Sequence, residues 1–355
     1  MRSVCMLCLC LISGISRIAC AQSFRGERLF YLVNSLESKQ SFFQHADEIS
    51  IVCPDVYQID SLGVIYGEMD MRILTTARQK HIRVIPLFAS FDQHAIHELL
   101  NRPASRLEAI RMMIAYARQF DFAGWQFDLE NISVADRDAY TSFYKQAADS
   151  LHAHGLWISC AVVKAEQSTP MNAHPSYERY VYENWSGAFD LPAIAAVSDF
   201  VSIMTYDQHT ALTPPGPVAG YPWMERIIQY VLSLGIPAEK FSLGVPLYSD
   251  YWYPVGDPVH GAHSTRDEIN YATVQDLIHR FQLHPQWLDD QKESMAYWEN
   301  GGVFDWLFIE DVRSFELRWQ LAAKYHLRGI SAWVLGAEDP AIWKYLSHQI
   351  HGQSK

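Results

Sequence analysis

The chain has 355 residues, of which 49% are hydrophobic and 13% aromatic, including 11 Trp and 19 Tyr. A sizeable core is possible at this length, and the aromatic wealth fits both such a core and sugar-stacking surfaces. A formal charge of −12 without a basic run argues against a nucleic-acid partner or an anionic membrane surface.

Residues 1–21 read as a secretory signal. Arg2 supplies the positive start, Val4 to Ile15 is an apolar run too short to span a bilayer, and Ala19-Cys20-Ala21 is a small-x-small cleavage site. A lipoprotein signal ending at Cys20 is the alternative, although Arg17 sits where it wants an apolar residue. No other apolar run is long and charge-free enough for a membrane span, so a secreted, periplasmic or extracellular protein is expected. Removing residues 1–21 takes away Arg2, Arg17 and no acid, so a charge of −12 becomes −14. Cys5, Cys8, Cys10 and Cys20 leave with it; Cys53 and Cys160 fall in separate strands and are expected as buried free thiols.

The remainder alternates short apolar runs with helical stretches. Leu29 to Val33 reads as a first strand, followed by helix to about His45. Ile49 to Cys53 is a second strand stopped by Pro54, and Met71 to Lys80 is helical. Ile82 to Leu87 is a third strand, before one long helical region from about Asp92 to Gln119. Phe122 to Leu129 is the fourth strand, Ala135 to His154 a helix and Leu156 to Val163 the fifth strand. A long polar loop, 164–189, carries Tyr177, Tyr180, Tyr182 and Trp185; loops of this length are usually functional or disordered. A short helix from Leu191, a sixth strand Phe200 to Tyr206, a helix ending near Leu234 and a seventh strand Phe241 to Leu247 follow. Residues 251–311 break the rhythm and read as a small inserted subdomain. Val312 to His326 is helical again, Gly329 to Leu335 is the eighth strand, and Ala341 to Ile350 closes the chain. Eight strands alternating with helices predict an α/β fold, a parallel (β/α)8 barrel over residues 22–355. A doubly wound open sheet is the alternative, but no Gly-rich phosphate turn follows the first strand.

The fourth strand carries the strongest chemical signal. Side chains alternate along a strand, so Gln126, Asp128 and Glu130 share one face and Phe127 and Leu129 the other. Three polar residues on one face are poor material for a dry core and make sense lining a pocket. Glu130 falls where the strand ends, the place where parallel barrels gather their catalytic groups. Other strand ends add Met204, Tyr206 and Asp207, then Tyr248, Asp250, Tyr251 and Trp252, then Trp333. Carboxylates, a phenol and indoles at one mouth suit cleavage of a glycosidic bond.

These segments resemble glycoside hydrolase family 18, the chitinases and related N-acetylglucosaminidases. The family's Asp-Gly-x-Asp-x-Asp-x-Glu motif is similar to Ala123-Gly124-Trp125-Gln126-Phe127-Asp128-Leu129-Glu130. Met204-Thr205-Tyr206-Asp207, Leu243 to Tyr248 and Gly329 to Gly336 resemble its motifs on strands six, seven and eight. The last is particularly similar to bacterial members that act on peptidoglycan or spore cortex. Two motif aspartates are replaced, by Ala123 and Gln126, and the strand-three Ser/Gly motif is not obvious in Pro86 to Ser90. The resemblance implies that Glu130 is the general acid and then base, and that the substrate's own acetamido oxygen is the nucleophile, a known departure from the two-carboxylate scheme. It implies that Asp128 orients and stabilises that acetamido group and raises the pKa of Glu130 by like charge. By the same resemblance Tyr206 bonds the acetamido oxygen, Asp207 contacts the sugar and Trp333 forms the floor. Gln126 is expected to hold Asp128 by a hydrogen bond. Gln126, Met204, Tyr248, Trp252 and Trp333 are the expected substrate-binding set. No cofactor or metal is implied: His94-x-x-His97 and His260-x-x-His263 lack a third ligand at a recognised spacing. The expected partner is an oligo- or polysaccharide, and the expected state a monomer. A non-catalytic, lectin-like barrel is the competing reading, against which the presence of Glu130 argues.

Overall fold

A computed structural model describes residues 24–166, 177–257 and 261–352. The expected signal segment, the middle of the 164–189 loop and His260 lie outside the described residues. Eight parallel strands close a barrel: β1 (Glu27–Val33), β2 (Ile51–Ile59), β3 (Leu87–Ser90), β4 (Gly124–Leu129), β5 (Trp157–Val163), β6 (Phe200–Met204), β7 (Phe241–Pro246) and β8 (Gly329–Trp333). Each pairs with the next, and β8 returns to β1 with Glu27 opposite Gly329. The helices form the outer ring. Several start where the sequence offers a side-chain oxygen to an unpaired backbone N–H: Ser35, Asp70, Asp92, Asp190, Asn270 and Asp311 all cap a helix in this way.

The period of two divides the strand residues into two layers. Outward residues such as Phe30, Val52, Phe88, Trp125 and Phe127 pack under the helices. Inward residues Leu29, Tyr31, Ile51, Cys53, Leu87, Ala89 and Phe200 fill the barrel. Midway up, the interior is polar but satisfied. Gln126 donates to Ser159 and Ser202, each at 3.2 Å, Ser202 bonds Ser331 at 2.8 Å, and Ser331 bonds Ser242 at 2.7 Å. Cys53 and Cys160 are both buried free thiols. Gly124 is needed where β4 crosses close to β5, since a Cβ there would collide with the Trp157 backbone.

Some boundaries differ from expectation for identifiable reasons. The third strand is interrupted: Arg83–Val84 pairs briefly with β2, Pro86 cannot donate to a ladder, and pairing resumes at Leu87. The single helix expected over 92–119 is two, Gln93–Asn101 and Pro103–Phe120. Arg102 lies between them with extended dihedrals, as the residue before a proline prefers.

Between β7 and the helix Val312–Lys324 lies an antiparallel sheet of five strands: Ser249–Asp257, Gly261–Ile269, Gln286–Leu288, Glu293–Asn300 and Val303–Ile309. Val274, from the helix Tyr271–Phe281, shares one apolar cluster with Ala296, Trp298 and Leu307 of this sheet. The insert is locked to the barrel by a buried ionic group. Arg318 forks onto Glu310, reaches the Ala219 carbonyl at 2.9 Å, and has Glu293 at 3.9 Å. No helix among the described residues is long and apolar enough to cross a membrane.

Candidate active site

The C-terminal mouth of the barrel opens into a cavity of about 230 Å³. Tyr31 reaches it from β1, Asp55 from β2, Asp128 and Glu130 from the end of β4, Met204, Tyr206 and Asp207 from the end of β6, and Trp333 from β8. Trp333 is half-buried and rests against Tyr31, with ring centroids 5.3 Å apart. The backbone of Glu130 is fixed because its N–H donates to the Ser90 carbonyl at 3.0 Å, extending the β3–β4 ladder by one residue. Its carboxyl group has no hydrogen-bond partner among the described residues. A second cavity of about 280 Å³ shares Glu130, Met204, Tyr206 and Asp207 with the first. Its far wall is Lys164, Tyr177, Tyr180, Trp185, Leu212 and Arg266. Glu130 thus stands between two adjoining spaces.

Burial controls the acids. Glu130 is pushed up to about 7, first by loss of solvation and then by the charges of Asp207 and Asp55, with the ammonium of Lys164 opposing. Asp128 lies deeper, 7% exposed, and is raised well above the carboxylate range by burial and then by Glu130 and Asp55. Its Oδ1 is buried with no hydrogen-bond partner among the described residues. The repulsion expected from Asp128 onto Glu130 therefore falls chiefly on Asp128 itself, because the deeper carboxyl takes the proton first. The two titrate as a pair. Asp55 is raised to about 6 by burial. Tyr206 is buried, and its phenol is raised by that burial and by neighbouring Tyr31 and Asp128, so it stays a hydroxyl donor.

Asp207 adopts a left-handed backbone conformation, φ 54°, which Asp tolerates better than most residues. Its carboxylate accepts from Tyr248 Oη at 2.7 Å and Arg266 Nη2 at 2.5 Å. Arg266 belongs to the insert and also bonds Asp250 at 2.5 Å, so the inserted sheet holds the β6 aspartate in place.

Three expected contacts are corrected. Gln126 is wholly buried, one strand repeat below Asp128, and its amide is spent on Ser159 and Ser202, with Cys53 donating to its oxygen at 3.5 Å. It neither holds Asp128 nor reaches a cavity. Trp252 is also wholly buried, in the seam between insert and barrel, and cannot stack on a sugar. Tyr248 lines neither cavity; its hydroxyl donates to Asp207 instead. Of the loop aromatics, Tyr177, Tyr180 and Trp185 line the second cavity, whereas Tyr251 stacks on Trp298 inside the insert. His97 pairs with Asp136 at 2.9 Å, and no group of three or more His, Cys, Asp or Glu among the described residues is arranged to hold a metal.

Sequence reasoning missed Asp55, Lys164, Arg266 and Glu268, all at the mouth. Asp55 was detectable: it continues the inward alternation Ile51, Cys53 along β2. Lys164 was visible as the first charge after the apolar run of β5. Arg266 and Glu268 carried no signal, because the insert does not share the barrel's periodicity.

A carboxyl group that keeps its proton near neutrality, a deeper carboxyl beside it, a phenol donor and an indole floor can together protonate a leaving oxygen and accommodate a sugar ring. Comparison with known proteins points the same way. The Bacillus subtilis protein YdhD is 30% identical over 291 residues, 79% of this chain and 64% of its own length. The cortical fragment-lytic enzyme of Bacillus subtilis is 26% identical over 317 residues, 87% of this chain and 66% of its own length. The chain thus spans about two thirds of these two relatives. The crystal structure of a chitinase from Chromobacterium violaceum superposes with a TM-score of 0.79 at 22% identity, covering 92% of this chain and 99% of that one. The sequence profile of the glycosyl hydrolases family 18 matches residues 38–338, nearly all of the barrel and its insert, and the chain belongs to that family.

Proposed function

We propose that this chain is an exported hydrolase of β-linked glycans containing N-acetylglucosamine, working by substrate-assisted catalysis with retention of configuration. The observation that carries the reading is Glu130: its carboxyl is pushed up to about 7, has no protein partner among the described residues, and borders both cavities. In the first step the Glu130 proton passes to the glycosidic oxygen. The C1–O bond breaks as the acetamido carbonyl oxygen of the same sugar bonds to C1, giving a cyclic oxazolinium ion. Asp128, kept protonated by its burial, accepts a hydrogen bond from the acetamido N–H on its carbonyl oxygen and stabilises the positive charge through that bond, and Tyr206 donates to the acetamido oxygen. In the second step Glu130, now a carboxylate, takes a proton from water; the hydroxyl bonds to C1 and the ring reopens. Trp333 is the apolar floor beneath the sugar, Met204 packs at its edge and Asp207 contacts it. Export rests on residues 1–21 alone.

Two of these relatives, a cortical fragment-lytic enzyme and a chitinase, frame the choice of glycan as spore-cortex peptidoglycan or chitin. Chito-oligosaccharides and purified peptidoglycan, offered side by side, should show new reducing ends on at least one. Glu130→Gln should lower that rate by about 10²–10⁴-fold, the usual contribution of a general acid, while the protein stays folded with a melt no lower than the wild type's. Binding without cleavage by the wild type would favour a lectin-like barrel instead. Turnover by Glu130→Gln at the wild-type rate would remove Glu130 from the mechanism.

A further inference from the structure

Lys164 stands directly after β5 and lines the cavity that also holds Glu130, Tyr206 and Asp207. Its Nζ donates to the backbone carbonyl of Asp207 at 2.9 Å. It makes no ion pair within 4 Å among the described residues, so its one hydrogen bond goes to a neutral acceptor. The neighbourhood of Glu130 is otherwise acidic. Asp128 comes from its own strand, Asp55 from β2, Asp207 from the end of β6 and Glu268 from the insert. Tyr31 and Tyr206 are phenols held neutral by burial. The one other cation lining these two cavities among the described residues, Arg266, is already committed to Asp207 and Asp250.

We propose that Lys164 is a positioning residue for the acid: it ties the left-handed Asp207 backbone in place, and its uncommitted charge sets the pH at which Glu130 gives up its proton. The role rests on Glu130 being the general acid. A positive charge favours the ionised carboxylate, and Lys164 is the leading charge that lowers Glu130 against burial and its acidic neighbours. Burial in turn lowers Lys164, with Asp207 and Glu130 keeping it charged. Without this ammonium the acid would stay protonated to higher pH, but would surrender its proton less readily to the leaving oxygen and afterwards be a carboxylate over a narrower range.

The test is the pH dependence of kcat/KM on whichever of the two glycans the wild type cleaves, for Lys164→Gln, Lys164→Met and Lys164→Arg. Gln keeps an N–H donor for the Asp207 carbonyl and drops the charge; Arg keeps both; Met keeps neither. The alkaline limb should move upward by about 0.5–1 pH unit in the Gln and Met variants, and Arg should return it toward the wild-type position. A role confined to holding Asp207 would leave the Gln limb where the wild type has it, and a limb within about 0.2 unit of wild type in both neutral variants overturns the proposal. Where Met unfolds, Gln and Arg still separate charge from tether. Glu130→Gln is assayed alongside. If it turns over at the wild-type rate, the acid assignment has failed; if it is inactive and the limb has not moved, only the role of Lys164 has.

Discussion

Glu130 and Glu310 are alike by acidity and opposite by surroundings. Burial is the first cause that lifts each to about 7, each has a second buried carboxyl beside it (Asp128 or Glu293), and each faces one opposing cation (Lys164 or Arg318). Glu310, however, is saturated: Arg318 forks onto both its oxygens, Ser314 donates at 2.8 Å, and the group is sealed between insert and barrel. The carboxyl of Glu130 borders two cavities and has no partner among the described residues. A raised pKa therefore does not by itself mark chemistry. What separates the two acids is whether a hydrogen-bonding position is left open, and whether space exists for something to occupy it.

Three further measurements test whether the two acids differ in this way. Arg318→Met leaves Glu293 and Glu310 buried without a cation, and should cost about 3–5 kcal/mol of stability in urea unfolding. A melt like the wild type would mean that this cluster does not fasten the insert. At the mouth the expectation reverses. Because the folded-state pKa of Glu130 lies above the ordinary Glu value, the folded protein binds more protons there than the unfolded chain between about 4.5 and 7, so this group lowers stability as pH rises through that window. Glu130→Gln should therefore melt higher than the wild type at pH 8, with the difference closing by pH 4 in parallel scans. An equal offset at both pH values would show that the carboxyl is not desolvated. The smallest effect is expected at Trp252, which is wholly buried, whereas Trp333 lines the mouth cavity. Trp252→Phe should change KM by less than about twofold while lowering stability by about 1–3 kcal/mol.

Much of the site could be read along the chain because a strand's alternation is exact in sequence. Asp128 and Glu130 had to share a face, and the end of β4 had to lie at the mouth. The same rule misled at Gln126: sharing a face is not sharing a depth. Two residues of strand rise, about 7 Å, separate a side chain at the cavity from one in the middle of the packed interior. Trp252 failed for another reason. Its nearness in sequence to site residues suggests a place at the site, but its strand turns that ring into the seam with the barrel, the alternative that aromatic residues always offer.

Sequence alone determined the alternation of strands and helices that predicts a parallel barrel, and the acidic end of the fourth strand. Both follow from local periodicity, which acts over a few residues, whereas closure of the barrel needs Glu27 to meet Gly329. Tertiary structure alone decided which charges meet at the mouth. Arg266, 59 residues beyond Asp207 in the chain, reaches its carboxylate only because the insert folds back over β6. Lys164 reaches the Asp207 carbonyl because β5 and β6 lie side by side. Electrostatic interaction depends on distance through space and on exclusion of water, and neither quantity is written in the order of residues.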